Sequence, residues 1–150
     1  GEVAGPESVW GAIRALGAER IGHGVRSVED PALIEYLKEH QIPLEVCLTS
    51  NLCLGEYASY EEHPIRWLWD NGLYVTVNSD DPPMFNTTLV GEYQAMVDHA
   101  GFDAASLERL SLNAIEASFL PDATKAELAQ TFLSEFAELR SRHLDRKEPS

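Results

Sequence analysis

Leu73-Tyr74-Val75-Thr76-Val77 runs without a break into Asn78-Ser79-Asp80-Asp81-Pro82-Pro83. The first five residues are aliphatic, aromatic or β-branched and read as a buried strand, because such side chains pack well on a pleated surface. The next six are polar, acidic or cyclic and read as a strand tip and turn. The pattern recurs upstream. Pro43-Leu44-Glu45-Val46-Cys47 is a second strand, closing in the polar turn Thr49-Ser50-Asn51, and Arg20-Ile21-Gly22-His23-Gly24 is a third, ending on a glycine-flanked histidine.

Helix signals fill the gaps. Pro6 opens a helix carrying Val9, Trp10, Ile13 and Leu16 up to Gly17. Asp30-Pro31 supplies an N-cap and a first-turn proline for another to about His40, with Leu33, Ile34 and Leu37 on one face. His63-Pro64 opens a third through Ile65, Trp67 and Leu68, and Asn71-Gly72 ends it. The strand ends near His23, Ser50 and Asp80 are 27 and 30 residues apart with a helix in each interval. That period indicates parallel βα units, in which chemistry collects at the carboxyl ends of the strands.

Three strands are too few to close a barrel, an open parallel sheet exposes its edges, and a (β/α)8 barrel takes about 250 residues. The fold class expected is therefore α/β, the C-terminal part of a (β/α)8 TIM barrel, in a chain that starts at Gly1-Glu2-Val3 as a processed or truncated piece would. Residues 1–150 form one domain portion, with barrel βα units over about 1–100 and C-terminal helices over about 101–150. Leu107, Leu110, Ala114 and Ala117 mark one helical stripe and Leu128, Phe132, Phe136 and Leu139 another, with Asp122 as a cap between them.

Charge narrows the function. The 150 residues carry 11 Lys and Arg against 25 Asp and Glu, a net charge of −14. Residues 1–100 hold 16 acids and 5 bases (−11), and residues 101–150 hold 9 and 6 (−3). Phosphate binding rests on clustered Lys and Arg, and between Lys38 and Arg109 there is only Arg66. Nucleic acid is excluded as a partner; a cation is welcomed. No apolar run approaches the roughly 18 residues of a membrane span, so a membrane role is excluded too. Cys47 and Cys53 form no CxxC pair, and reduced thiols in a cytoplasmic protein are expected.

The strand tips hold the candidates. Asp80 and Asp81 are adjacent carboxylates, and both stay ionised more easily when a cation neutralises one. His23 lies between glycines that leave its imidazole open to a ligand. His40, His63, His99 and His143 have no partners at ligand spacing and read as surface or capping residues.

Gly1-Glu2, Gly5-Pro6 with Ser8, Arg20 to Gly24, Pro43 to Asn51 and Ser79-Asp80-Asp81-Pro82, in this order and spacing, resemble the adenosine deaminase family. That family belongs to the zinc-dependent amidohydrolase-type (β/α)8 barrels, and Asn113-Ala114-Ile115 with Ala117-Ser118-Phe119 resembles its C-terminal helical motif. Leu48 stands where the family usually has proline, and Asn86 where glycine is common.

The resemblance implies hydrolytic deamination of adenosine, or a close adenosine-like purine, to inosine and ammonia. Asp80 would be a zinc ligand, with the His-x-His pair and a further histidine in a preceding N-terminal part. His23 would deprotonate the attacking water, Glu2 would protonate the ring nitrogen beside the attacked carbon, and Asp81 would hydrogen-bond an imidazole-ring nitrogen of the purine. Gly22 before His23 resembles nucleoside deaminases more than adenine deaminases, and an aminofutalosine is the other alternative substrate. From another class stands a non-catalytic acidic half-barrel that binds a partner, although such a scaffold needs none of these residues.

Overall fold

The computed structural model describes residues 1–144. Three parallel strands, β1 (Ile21–Gly22), β2 (Leu44–Val46) and β3 (Val75–Val77), lie side by side in that order. Leu44 sits in register with Ile21 on one side and Val75 on the other. The ladders are shorter than the apolar runs that predict them, but backbone bonds extend them. Ile21 N donates to Pro43 O, His23 N to Glu45 O and Asn78 N to Val46 O.

All of β3 is buried, as expected of a parallel strand covered on both faces. Leu44, Val46 and Val75 join Leu33, Leu37, Leu48, Ile65 and Leu68 in one core, each fully removed from solvent. The helices are α1 (Gly5–Leu16), α2 (Pro31–His40), α3 (Leu48–Cys53) and α4 (Ile65–Asp70). Beyond β3 follow α5 (Pro82–Phe85), α6 (Leu89–Ala100), α7 (Ala104–Glu116) and α8 (Asp122–His143). The Asp30 carboxylate accepts from Ala32 N and Leu33 N, the predicted cap of α2. Helix α7 is tied to β3 by Asn113, whose Nδ2 donates to Val75 O while its carbonyl accepts from Tyr74 Oη, both at 3.0 Å.

Four expectations change. The polar turn after β2 is the first turn of α3, so β2 ends at Val46 and Ser50 belongs to a helix. Asp122 opens α8 but makes no capping bond; Pro121 precedes it as N-cap. Of the first stripe only Leu110 is fully buried, beside Asn113 and Ile115, which the pattern passed over. The second stripe is not core, since α8 buries none of its residues. Of the C-terminal helical region, residues 145–150 lie outside the described residues.

Both departures from the family pattern have a geometric account. Leu48 is the first residue of α3, where proline is tolerated, and it fills the core instead. Asn86 ends α5 at φ 50°, in the left-handed region that asparagine enters most readily after glycine.

Candidate active site

His23 and Asp80 both follow strand ends, and both hold the left-handed backbone, at φ 58° and 55°. Non-glycine residues take that conformation at a cost, and they cluster where function requires it. Gly1 packs on the turn beneath His23 so tightly that a Cβ there would lie 2.7 Å from Gly22 O. A side chain at position 1 would push this segment away; glycine lets Glu2 reach the histidine. Gly22 fits its expected role, with open space around a built Cβ, whereas Gly24 is buried at φ 66° against Leu44 and serves the turn.

Three predicted groups meet. Glu2 Oε2 lies 3.0 Å from His23 Nδ1, and His23 Nε2 lies 3.5 Å from Asp80 Oδ2. Asp81 stands beside this line, not in it. Its Oδ1 accepts from Met84 N at 3.0 Å and caps α5.

The first turn of α3 supports the line with residues that were legible only as polar. Ser50 Oγ donates to Asp80 Oδ2 at 2.7 Å. Asn51 Nδ2 donates to Glu2 Oε2 at 3.0 Å and sits 3.3 Å from His23 Nδ1. Thr49 N donates to the fully buried Glu92, which also accepts from Thr87 Oγ1 at 2.6 Å. His63 is the residue sequence reasoning missed. It does cap, accepting from Ile65 N at Nδ1, but it is buried, and its Nε2 bonds Asn51 Oδ1 at 3.1 Å. Burial, with His23 second, pushes its pKa down to about 4. Nothing but the helix-start signal of His63-Pro64 marked it. His40, His99 and His143 are exposed, as expected.

His23, Cys47 and Asp80 offer ligand atoms that all lie within 4.8 Å of one another. Imidazole, thiolate and carboxylate are the groups zinc takes. Burial first, then Asp80, Glu92 and Glu2, push the Cys47 thiol up to about 12. The imidazole and the carboxylate fit a divalent cation.

These side chains border a cavity of about 540 Å³ that also takes in Gly22, Val77, Leu89 and Ala114. Its size suits a small organic ligand. A larger groove of about 700 Å³, beside Gln41, Trp69, Tyr74 and Arg109, gathers none of the paired acid and base groups.

Comparison with known proteins gives the family and the fold. The family model described as adenosine deaminase matches residues 1–134. An adenosine deaminase of Klebsiella pneumoniae (strain 342) is 45% identical over 130 residues, covering 87% of this chain and 39% of that protein. An aminodeoxyfutalosine deaminase of Streptomyces avermitilis is 49% identical over 129 residues, covering 86% and 36%. The adenine deaminase structure from Arthrobacter aurescens superposes with a TM-score of 0.88 at 33% identity, over 92% of this chain and 42% of that one. An amidohydrolase structure from Burkholderia ambifaria with bound Zn gives 0.81 at 29%, over 91% and 38%. The chain thus spans well under half the length of the relatives it matches, and the fold is part of a TIM barrel.

Proposed function

The chain belongs to the adenosine deaminase family, and from that premise we propose that it is the C-terminal part of an enzyme that hydrolytically deaminates adenosine, or a close adenosine-like purine, to inosine and ammonia. The observation that carries this reading is the line Glu2–His23–Asp80, in which His23 and Asp80 follow the ends of parallel strands and Glu2 meets His23, with contacts of 3.0 and 3.5 Å. A partner-binding scaffold has no use for an acid, a base and a cation ligand in contact.

Asp80 would hold a zinc ion together with histidines from the preceding part of the barrel. When bound, zinc supplies Lewis acidity that lowers the pKa of a coordinated water to about 7. His23 takes a proton at Nε2, the ring nitrogen nearest Asp80, and its Nδ1–H then points to Glu2 Oε2. That general-base role is worth roughly 10²–10⁴-fold. Glu2 gives a proton to the ring nitrogen beside the attacked carbon, so the departing electrons need not rest on an anionic purine. Asp81 leaves Oδ2 free to face an imidazole-ring nitrogen; that nitrogen only accepts, so the bond that orients the base is donated by an Oδ2–H. Ser50 holds Asp80 by donating to Oδ2. The proton held by His23 passes to the amino group, the carbon–nitrogen bond breaks and ammonia leaves; the hydroxyl proton of the adduct returns to Glu2 as the carbon–oxygen bond becomes the product carbonyl.

Residues 1–150 need the N-terminal half of the barrel for this chemistry. The reading places the enzyme in the cytoplasm, in nucleoside salvage. Adenine and aminodeoxyfutalosine are the competing substrates within the same chemistry, since both occur in the names of relatives, at 33% and 49% identity. The test uses the full-length protein, with zinc stoichiometry and ammonia release measured on adenosine, adenine and aminodeoxyfutalosine. Bound zinc with turnover of adenosine is expected; a protein that releases no ammonia from any of the three overturns the proposal.

A further inference from the structure

Glu2 and His23 share a neighbour that the reaction above does not use. Asn51 is completely buried, and its amide stands between those two residues and His63. The far side fixes which way that amide faces. His63 Nδ1 accepts from Ile65 N at 3.1 Å, so this nitrogen is bare. Burial keeps the imidazole neutral, and a neutral imidazole with a bare Nδ1 carries its hydrogen on Nε2. Nε2–H therefore donates to Asn51 Oδ1 at 3.1 Å. With the oxygen engaged there, the NH2 group must face Glu2 and His23.

An amide nitrogen only donates. Glu2 Oε2 accepts its hydrogen, and a proton on Oε2 aimed the same way would collide with it. We propose that Asn51, oriented by His63, is a positioning residue that keeps Glu2 Oε2 an acceptor and so places the transferable proton of Glu2 on Oε1. The same acceptor orders His23. With Glu2 Oε2 kept as an acceptor 3.0 Å from His23 Nδ1, an Nδ1–H goes to that oxygen and leaves Nε2 bare on the Asp80 side. This inference rests on the deaminase reading and adds a tautomer-setting chain behind it, from the first turn of α4 through His63 and Asn51 to the acid and the base.

The test uses full-length, zinc-loaded protein and whichever aminopurine the wild type turns over. Asn51→Leu and Asn51→Asp should lower kcat about 10²-fold, the scale of a misplaced reacting group, with zinc content unchanged. KM should stay within about threefold, as for an interaction made chiefly in the transition state. His63→Leu should lose a similar factor, and His63→Gln, whose amide can still donate to Asn51 Oδ1, should recover at least about tenfold of it. Long-range ¹⁵N–¹H spectra of the wild type should show His63 as the Nε2–H tautomer. The proposal is overturned if His63 carries its hydrogen on Nδ1, if the folded Asn51 variants keep kcat, or if the Gln and Leu variants of His63 fall alike. Should the variants fail to fold, the wild-type tautomer decides alone. A wild type that deaminates no aminopurine sinks the deaminase reading, while the tautomer still reports on the amide's orientation.

Discussion

In the first 78 residues the strands and the helices against them bury Leu33, Leu44, Val46, Ile65, Leu68 and Val75 completely, whereas the 22 residues of α8 bury none. The last helix is held at intervals by polar bonds. Arg140 meets Glu108 in a two-point pair at 2.6 Å, and Lys125 Nζ donates to Glu116 O at 2.8 Å. Within it Phe132 and Phe136 touch edge to face with centroids 5.8 Å apart, and Leu133 and Leu139 remain about half exposed. Apolar burial and packing hold the first region, where a change of one side chain is felt by every neighbour. Solvated pairs hold the second, and each of those contributes little.

The contrast is sharpest at the strand tips. In the full-length protein, Asp80→Ala should lose zinc and activity together. His23→Ala should keep most of the metal and lose about 10²–10⁴-fold in kcat. Metal analysis beside steady-state kinetics checks both, and a zinc-free His23→Ala with a zinc-loaded Asp80→Ala would reverse the two roles. Next in size, Leu44→Ala, at the centre of the sheet, should cost about 2–5 kcal/mol, while Leu139→Ala on α8 should cost well under half of that. Equal shifts in denaturant midpoint would erase the distinction between the two regions.

The buried side carries a pH effect at His63. The folded pKa of His63 is depressed to about 4, whereas an unfolded histidine titrates near 6.5. As pH falls between those values the unfolded chain takes up a proton that the folded imidazole does not, so stability should fall through that window. Denaturation midpoints at pH 7 and 5, with His63→Gln as the flattened control, measure it. Smaller still, Thr88→Ala removes the side chain that accepts from Gly91 N at the start of α6 and should cost about 1 kcal/mol. Least of all, Arg140→Ala should cost under about 1 kcal/mol by calorimetry; a larger loss would show that α8 is a structural member.

The same division governs what could be read without coordinates. β-Branched runs, Asp30-Pro31 and the glycine-ended helices are local signals, and β1 to β3, α1, α2 and α4 formed where those signals lie. His23 and Asp80 were visible because strand tips single out such residues, and Glu2 through the family resemblance alone. Asn51 and His63 were not, because their roles come from a contact across the fold. Polar residues after a strand look like a turn until burial shows that they are a helix packed under the site. The apolar stripe of α8 misled for the opposite reason: helical periodicity tells which face is apolar, not whether anything covers it.

The left-handed backbone at His23 and Asp80 sets stability against the proposed chemistry. Each residue stands in a conformation that glycine would adopt freely, and relief is worth roughly 1 kcal/mol or more per position. A library screened for heat resistance alone should therefore enrich glycine at position 23, and asparagine or glycine at position 80, and return hardier proteins with no chemistry. Engineering of this barrel segment should hold both positions constant and seek its gains among exposed sites such as those along α8.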